Sequence, residues 1–195
     1  MKTLNKLEEK IILRKAQIGD AEAFGEIYDL YVVRIFRFVY LKTSSKETAE
    51  DLTSEVFLKC WAFIKKRKEN KKKEFIKGNK LGSFLYKIAR NLIIDFYKKK
   101  QFPTVEIDEK LKDRLEDKKQ SVLAEISAKQ EVEELMKSLS KLKDGYREII
   151  ILRHVEDLSI KEIAEITGRS SSSVRVSLHR AVKALEKTMK ALPPL

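Results

Sequence analysis

The chain has 195 residues, 43% of them hydrophobic, enough for one well-formed core or two small ones. Its 42 basic and 30 acidic residues leave a formal net charge of +12, a balance suited to a polyanionic partner. A single cysteine excludes an internal disulfide, and no apolar run reaches the roughly 20 residues of a membrane span, so a cytoplasmic chain without membrane insertion is expected.

Six glycines, three prolines and almost no period-two alternation predict an all-α fold. Residues 4–17 are weakly periodic through Leu7, Ile11 and Leu13; Gly19 then stops the helix and Asp20 is placed to cap the next. From Phe24 through Ile27, Tyr28, Tyr31, Val32, Ile35, Phe36 and Val39 the apolar steps of three and four predict a long helix with a broad buried stripe. A polar loop over residues 43–45 leads to another helix, lined on one side by Ala49, Leu52, Val56, Cys60 and Phe63. Its other side carries an i, i+4 ladder of Glu47, Asp51 and Glu55. Like charges at that spacing cost a few tenths of a kcal/mol each, so helix stability does not call for them; taken alone they read equally as a solvated face.

The positive charge is concentrated. Residues 63–101 hold 14 basic and 3 acidic groups, almost the whole excess. The first part, "KKRKENKKKEFIKGNK" (65–80), is expected to be a frayed helix end and loop. A helix follows from near Ser83, with Phe84, Leu85, Ile88, Ala89, Leu92, Ile93 and Phe96 as core candidates and Lys87, Arg90, Asn91 and Lys98 facing out. Lysines track phosphates and exposed aromatics stack on unpaired bases, so Phe75, Tyr86 and Tyr97 among Lys71, Lys72, Lys73, Lys77 and Lys80 suit a single strand. Plain contact with a duplex backbone suits the same composition.

Pro103 and an acidic turn in composition predict a linker over residues 101–124, dividing an N-terminal domain (1–100) from a C-terminal one (125–195). In the second domain, helices over about 125–138 and 145–155 precede "LSIKEIAEITGRSSSSVRVSLHRAVKAL" (158–185). This stretch has the form of a helix-turn-helix. Ile160, Ile163 and Ala164 face inward on a short helix, Gly168 supplies a positive φ, and Ser170 or Ser171 caps a second helix pinned by Val174, Leu178, Ala181 and Leu185. Ser171, Ser172, Ser173, Arg175, Val176, His179 and Arg180 are then left for a duplex. Arginine can fork to guanine, valine can touch a thymine methyl, and serines suit phosphates or base edges.

No catalytic constellation is visible. His154 and His179 lie on different helices, no glycine-rich phosphate loop occurs, and neither a metal nor another cofactor is implied. An enzyme acting on DNA is the weaker reading; a two-domain helix-turn-helix DNA-binding regulator is the stronger.

Four separate stretches, in order, resemble the sigma factors of bacterial RNA polymerase, specifically the small extracytoplasmic-function (ECF) type: "GDAEAFGEIYDLY" (19–31), "AEDLTSEVFLKCW" (49–61), "GSFLYKIARNLIIDFYKKK" (82–100) and "REIIILRHVEDLSIKEIAEITGRSSSSVRVSLHRAVKAL" (147–185). The resemblance implies a transcription initiation factor of two small helical domains, one resembling region 2 and one region 4. Asp51, Leu52, Glu55 and Leu58 would meet the clamp coiled coil of the largest polymerase subunit, with the flap as a further polymerase contact. Arg90, Asn91, Asp95, Tyr97 and Lys98 fall where the family contacts the −10 element and the melted non-template strand, and the C-terminal pair where it reads the −35 element. An anti-sigma factor is a further implied partner. Two positions depart from the pattern: Ser177 stands where the family often has a basic residue, and Val176 where it often has a small polar one.

Overall fold

The computed structural model describes residues 6–69, 76, 80–101 and 136–190. They fall into two compact units, one of Met1–Tyr40 with Ser45–Gln101, the other of Phe102–Leu195 with Leu41–Ser44. Among the described residues every regular element is helical. The linker expected from residue 102 onward, and the helix expected from residue 125 as far as residue 135, lie outside them.

In the first unit α1 spans Lys6–Gln17 and ends where expected, at Gly19, whose φ of +94° few other residues adopt readily. The Oδ1 of Asp20 accepts from the backbone N–H of Glu22 (3.0 Å) and Ala23 (3.1 Å), satisfying two donors at the start of α2, Ala21–Thr43. Ser44 turns the chain at φ 54°, and the Ser45 hydroxyl accepts from Thr48 N–H (3.2 Å) to open α3, Lys46–Glu69. The fourth helix, α4, spans Leu81–Gln101. The core draws on all four: Leu13 and Ala16, Ile27, Ile35, Phe38 and Val39, Val56, Cys60 and Ile64, and Leu81, Leu85 and Ala89. A fully buried large aliphatic side chain contributes about 1.5–3 kcal/mol. At Gly82 a Cβ would sit 3.2 Å from the Tyr31 ring, closer than ordinary contact, so the first turn of α4 packs tightly against α2.

Tyr86 corrects a sequence expectation. It is fully buried, with its ring edge-on to Phe38 (5.4 Å) and the Arg34 guanidinium 6.0 Å from its centre, and is closed to a nucleic-acid base. The cause is the width of the buried face of α4: Leu85 and Tyr86 are consecutive and both turn inward. Phe84, by contrast, is half-buried and packs on Phe63 at 4.9 Å.

In the second unit residues 136–140 are helical and α5 covers Asp144–Ile150. The helix expected over 145–155 continues as a wider π turn, Ile151–Val155, beyond α5. Ile149, Ile150, Ile151 and Leu152 are all buried, more consecutive positions than one face of a regular helix can take inward. The corner that follows is tied by Arg153, whose Nη1 donates to the Leu158 carbonyl (3.0 Å) and lies 3.7 Å from the Asp157 carboxylate. Then α6, Ile160–Thr167, starts at a capping box: Glu162 N–H donates to Ser159 Oγ (3.3 Å), and Ser159 N–H donates back to Glu162 Oε2 (2.8 Å). Gly168 closes it at φ +68°. Ser170 Oγ accepts from Ser173 N–H (3.2 Å), choosing between the two capping serines, and α7 runs Ser171–Lys190. Val174 and Ala181 are fully buried and α7 packs against both α5 and α6.

Candidate docking and nucleic-acid interfaces

On α3 the inward stripe of Ala49, Leu52, Val56 and Cys60 fixes what faces water. Asp51 and Leu58 are exposed and Glu55 is part-exposed, at steps of four and three, so the three make one ridge along the helix. Leu52 does not join it. It is 7% exposed and belongs to the core, because its position continues the Ala49–Val56 stripe. The ridge is acidic with one apolar end, and Glu55 has a nearby cation, Lys59 at 3.3 Å on the same helix. Burial among apolar neighbours pushes the Cys60 thiol up to about 12, which leaves it an inert core residue. Tyr28, edge-on to Phe57 (4.8 Å), is also pushed up, first by burial and then by the Asp29 charge.

On α4, Lys87, Asn91, Asp95 and Lys98 are all exposed and recur at steps of four, four and three. Arg90, half-buried, and Tyr97, 40% exposed, lie on the flank of that row, about 100° around the helix. The Tyr97 ring is edge-on to Phe96 at 5.4 Å, which holds it while leaving one part open. Cationic, amide and carboxylate groups along one row can donate and accept, which suits base edges as well as phosphates. Of the basic segment before α4, Lys80 is described and exposed, whereas Lys71, Lys72, Lys73, Phe75 and Lys77 lie outside the described residues. Ile76 is buried, and its carbonyl accepts from Gln17 Nε2 at 2.8 Å. Gln17 thus satisfies the buried Ile76 carbonyl, a contact that nothing local in the sequence announces.

On α7 the core stripe leaves Ser172, Arg175, Val176, His179 and Arg180 exposed and Ser171 and Ser173 half-buried. Val176 is 51% exposed, an apolar ridge among polar groups. The expected duplex-facing set is therefore assembled on one helix. Missing from it is Arg169, whose guanidinium Nη2 donates to Ser173 Oγ (3.0 Å) and Ser177 Oγ (2.6 Å).

A family model of sigma-70 region 2 matches residues 27–102, and one of sigma-70 region 4 matches residues 132–185. The RNA polymerase sigma factor YlaC of Bacillus subtilis is 32% identical over 171 residues, covering 86% of this chain and 92% of YlaC. The ECF RNA polymerase sigma factor BldN of Streptomyces coelicolor is 30% identical over 181 residues, 91% of this chain; the match spans only 64% of BldN. The chain belongs to the ECF sigma factors of RNA polymerase. Region 2 thus takes in most of α2, with α3 and α4, and region 4 takes in α5, α6 and most of α7. The fold of this sigma factor is also that of CnrH, solved in complex with the cytosolic domain of CnrY: the TM-score is 0.70 at 19% identity, over 95% of this chain and 99% of the other. Family membership disfavours a regulator that never meets polymerase. Among the described residues no helix is long and apolar enough to cross a membrane, and no three potential metal ligands cluster.

Proposed function

We propose that this sigma factor docks on core RNA polymerase through the α3 ridge of Asp51, Glu55 and Leu58, and directs the enzyme to promoters with two DNA-binding faces. In this reading α4 and the lysine-rich segment before it engage the −10 element and the melted non-template strand. Helix α7 lies in the major groove of the −35 element. No covalent chemistry is required of the chain, and it works in the cytoplasm with the polymerase. The observation that carries the reading is the α3 ridge, where acidic groups and an exposed leucine share one side of a helix whose other side is core. An apolar contact beside charge-assisted bonds gives a protein interface both affinity and register.

Opening a duplex costs a few kcal/mol per unstacked step, and capture of the extruded base offsets it. An anti-sigma factor that covers the same ridge belongs to the proposal, as a regulator of docking and not as an alternative to it. Run-off transcription with purified core enzyme on a randomised promoter library tests docking, opening and selectivity together. Discrete start sites that appear only when the chain is added are expected. A chain that forms no complex with core enzyme at low salt, yet still binds duplex, leaves only a DNA-binding regulator.

A further inference from the structure

We infer that Arg169 is a specificity-determining residue of the DNA-reading helix, presenting a second base-reading guanidinium although it lies before the first residue of α7. This rests on the reading of α7 as the duplex-facing helix. Arg169 sits between the turn glycine and the capping serine, and its backbone N–H is already spent on the Ala164 carbonyl (3.1 Å), closing α6. Its side chain is exposed, yet it folds forward over α7. One nitrogen, Nη2, bonds both the Ser173 and Ser177 hydroxyls, four and eight residues on.

This places the guanidinium along the flank of α7 at the level of Ser177. Successive residues of a helix are turned by about 100°, so Arg175 and Ser177 flank Val176 on opposite sides. The exposed valine ridge therefore carries a cation on each side, one native to the helix and one brought in from the turn. Val176 fits a thymine methyl, and the serine bonds take both Nη2 hydrogens, which leaves Nε–H or an Nη1–H, on different edges of the guanidinium, for a single bond to a neighbouring guanine.

The two serine bonds matter because a long exposed side chain otherwise loses rotamer freedom on binding. Here the guanidinium is held in place beforehand by small hydroxyls that compete weakly with a base edge. Ser173 and Ser177 thereby become positioning residues. A phosphate could also take the arginine, but the side chain is drawn along the helix towards the ridge, where base edges lie.

The test uses the full chain assembled with core polymerase and a duplex promoter selected from a randomised library by that holoenzyme. The promoter is then varied one base pair at a time through its upstream element. Arg169→Ala is expected to lose selectivity at one base pair, on the order of 10- to 100-fold, while the other positions keep theirs. Adding Ser177→Arg to that variant places a guanidinium on the same flank and restores selectivity there. Ser177→Ala alone gives a smaller loss at the same pair. Selectivity unchanged in Arg169→Ala, or affinity lowered equally for every base, overturns the inference. Arg175→Ala separates the two failures: if it too changes nothing at any position, the duplex-reading role of α7 falls as well.

Discussion

The double charge reversal Asp51→Lys with Glu55→Lys puts the docking ridge to a quantitative test. Both carboxylates face outward, so each can form a charge-assisted bond with a basic group on polymerase, worth about 1.5–3 kcal/mol. Side chains one turn apart are not independent, so the combined loss is set at about 3–5 kcal/mol. At about 1.4 kcal/mol per tenfold, the Kd for core enzyme rises roughly 100- to 5,000-fold. The cost to the fold is much smaller. Among the described residues the part-exposed Glu55–Lys59 pair at 3.3 Å is lost, worth about 0.5 kcal/mol or less, and the new lysine beside Lys59 adds a repulsion of similar size. A loss of about 1 kcal/mol lowers the melting temperature of a unit this small by roughly 4–8 °C. Binding to fluorescently labelled core enzyme, with duplex affinity and thermal melting measured alongside, separates the effects. Duplex affinity should hold or rise slightly, since the chain becomes more positive. Parallel loss of polymerase and duplex binding, or polymerase binding within a few-fold of wild type, would refute the assignment.

Gly168→Ala should destabilise the second unit by about 1 kcal/mol in denaturant melts; its surroundings are open, so the cost comes from φ +68° alone. Gly25→Ala, inside α2 with no atom within 4 Å of the new Cβ, should stabilise by about 0.5–1 kcal/mol. Gln17→Ala leaves the buried Ile76 carbonyl without its donor, so the first unit should lose about 1–3 kcal/mol in denaturant melts while polymerase affinity stays unchanged. Cys60 should resist thiol reagents at pH 8 until the chain is unfolded. Its raised folded pKa contributes stability that is complete below the unfolded value near 9 and is lost as pH climbs towards about 12. Tyr28 acts in the same direction, so a Cys60→Ala variant should show a shallower, not flat, decline in urea melts.

Periodicity revealed the helices because each buries a stripe, and the outward sets on α3 and α7 followed from the stripes. Glycine and serine chemistry located the turns: Gly19, Asp20, Gly168 and Ser170 behave as their local preferences dictate. The capping box at Ser159 and Glu162 has its ordinary local spacing, a serine followed three residues on by a glutamate. Tyr86 went the wrong way, whereas Leu52 is buried where its place on the apolar stripe puts it, and only the family resemblance set it on the docking face. Stripe width depends on how many helices surround the element, and a side chain at the margin turns inward only when a neighbour such as Phe38 receives it. Gln17 meeting Ile76 across 59 residues, and Arg169 meeting Ser177 across eight, are tertiary or cross-turn contacts without a local signature. The π turn is likewise set by packing, since the residues of 151–155 individually favour nothing of the kind.

After Gly82, α4 continues to residue 101 with neither proline nor glycine to let it bend, and its inner side is wedged by Tyr86, Leu85 and Ala89. If α4 engages DNA as proposed, such a rod does not yield locally under a load at Asn91 or Lys98. The load then passes to the core as a whole, so work put into separating the strands is not dissipated in deforming the protein. A proline introduced midway along that rod would turn a lever into a hinge.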